Sequence, residues 1–376
     1  MISSILTLAI AFLSLIALMV IHEFGHFIVA KKFGVRVDEF GIGYPPRIFG
    51  KKIGETIYSI NFLPLGAFVR IYGEEGGVDD YRSFMGLKIW KKVLIVIGGV
   101  VAFWIASIIL FTIVFGIGAD IPIGDQDVQG VANAQVKIIS VESGSPAETV
   151  GLQAGDTILE VKNQKSKVKI NKISEFQTFT KENEGKQLVV SVERNKEVLD
   201  FTLTPRVNPL LGQGAVGVGL ERLATLIKKY PWYEAPVQGV IYTWQTTVNG
   251  LVGLYSVFAN MFSGKGVPQG AELAGPLGIT VFLARAVDYG PGFFLYFIGV
   301  ISVFVAIFNL FPIPALDGGK LIFLAIEKIM KKPVPAKIEQ NITVIFFILL
   351  ISLSIFVTIR FDIPRFSDFL KSSLSR

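Results

Sequence analysis

Four stretches of the chain carry no charged residue: Met1–Ile21, which "HEFGHFIVA" extends to Lys31, then Val93–Ala119, Tyr289–Leu316 and Gln340–Ile359. Each reaches the roughly 20 residues an α-helix needs to cross a bilayer core of about 30 Å. The pattern predicts transmembrane helices at 1–31, 93–119, 289–316 and 340–360. The first has neither a basic leading segment nor a small-residue cleavage site, so it is expected to remain as a mature span. A fifth uncharged run, Ala235–Gly264, is diluted by Gln238, Thr243, Gln245, Thr246, Asn249 and Asn260. Its apolar residues Val237, Ile241, Trp244, Val248, Leu251, Tyr255, Phe258 and Phe262 recur at three- and four-residue steps, one face of a helix. This predicts an amphipathic helix over 233–263, lying on the membrane or against a domain.

Between the spans the period shortens. "QVKIISV", "TILEVKN", "QLVVSVER", "EVLDFTLTP" and "GQGAVGVGL" alternate or run apolar as strands do, with the helical stretch "NKISEFQTFTKEN" among them. An inserted α+β domain is expected over 128–222. The segment 35–88 holds two more strands, "ETIYSIN" and "GAFVRIYG", joined around "FLPLG". An isolated hairpin is marginal in water, so this one is expected to pack on the membrane-embedded helices.

Composition and charge agree with this layout. The chain has 376 residues, 51% hydrophobic and 18% charged, against about 25% charged in an average soluble domain. Basic residues crowd 31–92 and 320–339, whereas 120–288 is nearly neutral. By the positive-inside bias the first two segments are cytoplasmic, and the inserted domain lies outside the cytoplasm. Cysteine is absent, which excludes disulfides and thiolate metal ligands. The expected surroundings are a lipid bilayer, with no nucleic-acid partner.

The chemistry concentrates in "VIHEFGHFIV". His22 and His26 are the only histidines, and they sit four residues apart, on one face of a helix. With Glu23 between them they form the H-E-x-x-H pattern of zinc hydrolases, in which the Glu is the general base. A charged Glu near a bilayer interior costs about 2.5–3.5 kcal/mol or more unless it has a partner or a task. A catalytic zinc takes three protein ligands and keeps one position open. With no third His and no Cys, the third ligand must be Asp or Glu. Asp317 in "NLFPIPALDGGK" is the candidate: it follows 28 uncharged residues, beyond Pro312 and Pro314, at the same cytoplasmic end as the histidines.

"HEFGH", the inserted domain with "GSPAETVGLQAGDTILEVKNQ", and "NLFPIPALDGG" together resemble the site-2 protease family of intramembrane zinc proteases. The bacterial regulator-of-sigma-E protease branch is the nearest likeness, and it extends to "ELAGPLGI" and "GGKLIFLAIEKI". The resemblance implies a polytopic α-helical membrane protein of the bacterial inner membrane, with four transmembrane helices, a membrane-associated β-hairpin and one inserted PDZ-like domain. Some members carry two tandem PDZ domains, and this chain has room for one. It implies Zn2+ held by His22, His26 and Asp317, Glu23 as catalytic base, and Asn309 as a substrate-positioning or oxyanion-contacting residue. Tyr58, Ile60 and Asn61 of the hairpin would hold an extended substrate strand. Substrates would be single-span membrane proteins, such as an anti-sigma factor, or remnant signal peptides. The competing class is a non-catalytic, PDZ-bearing membrane receptor or scaffold, which needs none of the three ligands.

Overall fold

A computed structural model describes residues 2–74, 80–122, 131–194, 197–207, 209, 214–264, 274–288 and 290–374. Parts of several predicted stretches lie outside the described residues: 75–79, 128–130, 212–213 of "GQGAVGVGL", 272–273 of "ELAGPLGI", and Tyr289. In chain order the elements are α1 (Ile2–Lys32), β1 (Val37–Ile53), β2 (Thr56–Ile71), α2 (Ile89–Ile117), β3 (Ala119–Pro122), β4 (Val131–Val141), α3 (Pro146–Val150), β5 (Thr157–Lys162), β6 (Lys167–Lys169), α4 (Ile173–Glu182), β7 (Leu188–Arg194), β8 (Glu197–Leu203), β9 (Val218–Lys228), α5 (Ala235–Phe262), α6 (Pro276–Asp288), α7 (Pro291–Asn309), α8 (Asp317–Met330) and α9 (Ala336–Val357). A π-helical turn, Thr358–Asp362, then leads into α10 (Ile363–Leu374). The chain divides into two compact units, Met1–Ile117 with Lys229–Arg376, and Gly118–Lys228.

In the first unit, α1, α2, α7 and the run through α9 are long and apolar enough to cross a membrane. Lipid tails are as apolar as leucine, so helices associate there through close packing of small residues. The α1–α2 crossing follows this rule. A Cβ on Gly25 would lie 2.3 Å from the Gly98 carbonyl oxygen and 2.8 Å from Ala102 Cβ, so no larger residue fits. The contact brings the end of α1 that carries both histidines hard against α2.

The helix expected over 233–263 forms as α5 and packs on α2 and α7. Its buried residues are the small ones, Ala235, Gly239, Thr243, Thr247 and Gly250. Ser107 and Thr243 hydroxyls meet at 3.3 Å, and those of Tyr242 and Tyr296 at 3.0 Å. Trp244 and Tyr255 face outward, 68% and 74% exposed. The bulky apolar face that the periodicity marks is the outward one, and the small residues of the other face let α5 approach α2 and α7 closely.

Two span boundaries also move. α7 stops at Asn309 instead of running to 316, because Pro312 and Pro314 cannot supply helix hydrogen bonds. Asp317 therefore opens a new helix, α8, rather than ending a span. α2 starts at Ile89, four residues before the predicted 93, and draws Lys91 and Lys92 into the helix.

Segment 35–88 departs most from expectation. "ETIYSIN" and "GAFVRIYG" do not pair with each other. The first limb of β1, residues 37–44, runs between them. It pairs with 57–63 on one side (Phe40 with Tyr58, Ile42 with Ile60) and with 67–71 on the other (Phe40 with Val69, Ile42 with Ala67). The second limb of β1 then covers the far side of 56–61 (Gly50 with Ser59, Lys52 with Ile57). Gly41 is required in the middle limb, since a Cβ there would lie 2.4 Å from the Phe68 ring. The turn at Glu55 docks on the end of α1. The Lys31 ammonium, at 2.5 Å, and then the Arg82 guanidinium hold the Glu55 carboxyl below the usual carboxylate range.

The second unit is an α+β domain with strand order β3-β9-β4-β5-β7-β8 and β6 added beside β5. Its core includes Val136, Ile158, Val161, Phe176, Val190 and Val192. Ser145 caps α3 by accepting from the Glu148 N–H at 3.1 Å, and Gly151 ends the helix in the left-handed region. Asp156, 1% exposed, takes two bonds from Arg194 at 2.6 and 2.7 Å.

Candidate metal centre

His22 and His26 lie one turn apart near the C-terminal end of α1. Asp317 reaches them from the first residue of α8. The close packing of Gly318 and Gly319 sets that position: a Cβ on either would fall 2.2–2.3 Å from the carbonyls of Phe311 or Ile313. Only glycine lets α8 begin this tightly under the proline turn.

The ligand atoms form a triangle. His22 Nε2 is 3.1 Å from His26 Nε2, and Asp317 Oδ2 is 3.4 and 3.5 Å from the two. A tetrahedral ion with bonds of about 2.0–2.1 Å sets neighbouring ligand atoms about 3.3 Å apart. His26 Nδ1 lies 2.8 Å from the Ile95 carbonyl oxygen, which can only accept. That ring therefore carries its proton on Nδ1 and leaves the Nε2 lone pair toward the triangle, as a metal-ligating imidazole must. His22 stacks on Phe103 with ring centroids 4.7 Å apart, which fixes its plane. Asp317 Oδ2 is buried without a hydrogen-bond partner. Three donors converging on one point, His26 buried and the other two partly so, with one an orphaned carboxylate oxygen, fit a divalent cation better than they fit one another.

Room for this cluster comes from α2. A Cβ on Gly99 would fall 2.3 Å from His26 Nε2 and 2.5 Å from His22 Cε1. Gly99 thus fits flush against both imidazoles. The sequence offers "IGGVV" as a hint, but nothing in the pattern of apolar residues tells which glycine of a span faces a site.

Glu23 is half-buried one step round α1, beside the Val69 backbone, which gives its carboxylate a hydrogen bond. Val69 belongs to limb 67–71, which among the described residues pairs with β1 on one side only, so this limb is an edge beside Glu23. Tyr58, Ile60 and Asn61 do not form that edge, because their limb is paired on both sides. Tyr58 and Ile60 still expose their side chains, 36% and 52%. Asn61 is buried and spends its amide on the carbonyls of Ile42 and Gly43 and the Ser59 hydroxyl. Asn309 closes α7, half-buried, with its amide donating to Val305 O at 3.0 Å.

A model of Peptidase family M50 matches residues 10–353. A Clostridium perfringens protein named "Putative zinc metalloprotease" is 31% identical over 350 residues, covering 93% of this chain and 96% of the relative. The "Regulator of sigma E protease" of Salmonella typhi is 28% identical, covering 95% and 99%. That alignment runs to 458 positions, longer than the whole 376-residue chain, so the Salmonella protein carries segments without counterpart here.

Proposed function

Because the chain belongs to peptidase family M50, we propose that it is an intramembrane zinc endopeptidase whose metal is held by His22, His26 and Asp317. The observation that carries the reading is the triangle of ligand atoms, 3.1, 3.4 and 3.5 Å on its sides, with two of its three corners on a helix long and apolar enough to cross a membrane. A PDZ-bearing scaffold would have no use for it, since buried carboxylate and imidazole without a task cost stability. Bound zinc would polarise the scissile carbonyl and bring the pKa of water toward neutrality.

The chain's own residues do the rest. The Glu23 carboxylate takes the proton of the attacking water and returns it to the leaving amine. The Ile95 carbonyl keeps the His26 tautomer fixed throughout. A transmembrane substrate helix hides its peptide bonds in its own hydrogen bonds, so it must unwind before it can react. Limb 67–71 offers replacement partners by strand addition, in surroundings where an unpaired backbone group costs several kcal/mol. Tyr58 and Ile60 contribute side-chain contacts beside that strand, Asn61 stiffens the sheet from inside, and Asn309 is the residue assigned to position the substrate or contact the oxyanion.

Substrates on this reading are single-span membrane proteins, an anti-sigma factor or remnant signal peptides among them. The setting is the bacterial inner membrane, with the second unit a PDZ-like domain on the extracytoplasmic side. The test compares membrane proteomes of cells carrying wild type and Glu23→Gln. Cleavage precursors should accumulate in the variant, and identical proteomes would overturn the assignment.

A further inference from the structure

One face of α8 carries Asp317, Lys320, Leu324 and Glu327, at steps of three, four and three residues, which a helix stacks in line. Of these, the chemistry above uses only Asp317. Lys320 bonds Glu74, which lies three residues beyond the edge limb 67–71. Glu327 accepts from Lys92 Nζ at 2.8 Å, and the Lys92 side chain is only 2% exposed. Both ammonium groups flank one buried ring, Phe84, at 5.1 Å for Lys320 and 5.9 Å for Lys92. On α2, Lys92 lines up with Ile95 and Gly99 at steps of three and four. Those are the residue whose carbonyl orients His26 and the glycine that makes room for both imidazoles.

A lysine this buried is rare. Its ion pair gives little net stability over an apolar pair of the same shape, because desolvation offsets the attraction. What such a pair supplies is a fixed distance and direction. Here one pair ties α8 to the helix that orients the histidines, and the other ties α8 to the end of the edge strand.

Resting on the metal reading above, we propose that these are positioning pairs with separate tasks. Lys92–Glu327 sets Asp317 against His22 and His26, and so governs how well the site closes on zinc. Glu74–Lys320 sets the edge strand against Asp317, and so governs which peptide bond of a bound strand reaches the site.

The test uses full-length protein in detergent, with zinc itself as the probe in competition with a chelator. Lys92→Met should raise the zinc dissociation constant, by up to the roughly 10–100-fold that follows loss of a group bonded directly to a metal ligand. The charge-reversed double variant Lys92→Glu with Glu327→Lys should recover most of the loss. Glu327→Asp keeps the charge but shortens its reach, so it should weaken zinc binding even if Lys92→Met does not fold. Glu74→Gln and Lys320→Met should bind zinc as wild type does. In cells their turnover should fall, up to about 10²-fold for a displacement near 1 Å. New N-termini mapped in the membranes, with Glu23→Gln as blank, should shift along the substrates. The inference is overturned if Lys92→Met and Glu327→Asp fold and bind zinc as wild type does. It is equally overturned if Glu74→Gln and Lys320→Met cut the same bonds at the same rate, or lose zinc as Lys92→Met does. A wild-type protein that binds no zinc would instead overturn the metal reading itself, and this inference with it.

Discussion

Replacing Gly99 by Ala sets two effects of known size against each other. Glycine inside a helix costs roughly 0.5–1 kcal/mol relative to alanine, so helix propensity alone says the variant is more stable. Packing says otherwise. The added methyl would fall 2.3 Å from His26 Nε2 and 2.5 Å from His22 Cε1, inside van der Waals contact with both. To restore ordinary contact near 3.4 Å, an imidazole or the helix must retreat by about 1 Å, and forcing a methyl into a filled space costs roughly 1–3 kcal/mol. Metal sites tolerate about 0.2 Å in their bond lengths, so a retreat five times larger removes a ligand. Gly99→Ala should therefore lose zinc even if the chain folds. Gly116→Ala, on the same helix with only Ala235 Cβ at 3.9 Å, is the control that should keep zinc and melt no lower than wild type. Elemental analysis gives zinc per chain, and thermal unfolding with and without excess zinc shows whether the metal stabilises each variant. A Gly99→Ala protein with one zinc per chain and wild-type turnover would refute the argument that this glycine makes the site.

Other consequences can be checked separately. His22→Ala and Asp317→Ala should each lose zinc, whereas Glu23→Gln should keep zinc and lose turnover, and elemental analysis beside a cleavage assay distinguishes the two classes. Val69→Pro removes a backbone donor from the edge limb, the one that also reaches Glu23, so turnover should fall with zinc content unchanged, and a smaller loss for substrates rich in Gly or Pro would mark the share due to strand addition, because their helices unwind at lower cost. In the second unit, burial alone would raise the Asp156 carboxyl, but bonds from Arg194 and the Gln153 N–H outweigh it and hold the group below its ordinary value. That stabilisation is present above the unfolded pKa, near 4, and lost as pH falls through the lower folded value, so Arg194→Met should cost about 3 kcal/mol at neutral pH and flatten the acid limb of a stability-versus-pH curve. A single cysteine at Lys165 should react with an impermeant thiol reagent in intact cells, and labelling only after lysis would place the second unit in the cytoplasm.

The triangle of His22, His26 and Asp317 was legible because its parts violate their surroundings. Two imidazoles and a carboxylate in apolar runs have few physical excuses, and helical spacing by itself puts the histidines on one face. The four spans were legible for the same kind of reason, since length without charge means little else. What the sequence hid lies in relations rather than residues. Lys92 reads as one more flanking lysine of a cytoplasmic loop. Only the chain's return some 235 residues later, with Glu327 on α8, makes it a buried partner.

The sheet shows where pattern reading fails and why. "ETIYSIN" and "GAFVRIYG" alternate well enough to be seen as strands, and their neighbourhood in sequence suggests that they pair. The limb that separates them, "VDEFGIGY", holds two acids and two glycines, which depress strand propensity. It is nonetheless the central strand. Glu39 is 4% exposed yet satisfied, bonded by Arg47 and the Ser59 hydroxyl at 2.7 Å each, and Gly41 is present because the Phe68 ring fills its side-chain space. Residues that look unfit for a strand are here the ones that tertiary contacts require. The difference bears on the proposed function, because inserting a strand between the two moves the open edge. Limb 57–63 becomes interior, and limb 67–71, with the Val69 backbone beside Glu23, becomes the edge to which the proposed function assigns the substrate strand. Proline at Tyr58 or Ile60 would therefore disrupt the sheet as a whole, whereas proline at Val69 should leave the interior limbs paired and remove only the donor that the edge shares with Glu23. Comparing melting temperature with turnover for Ile60→Pro and Val69→Pro separates the two: the first should lose stability and activity together, and the second activity with little loss of stability. The reverse ranking would return the substrate to limb 57–63.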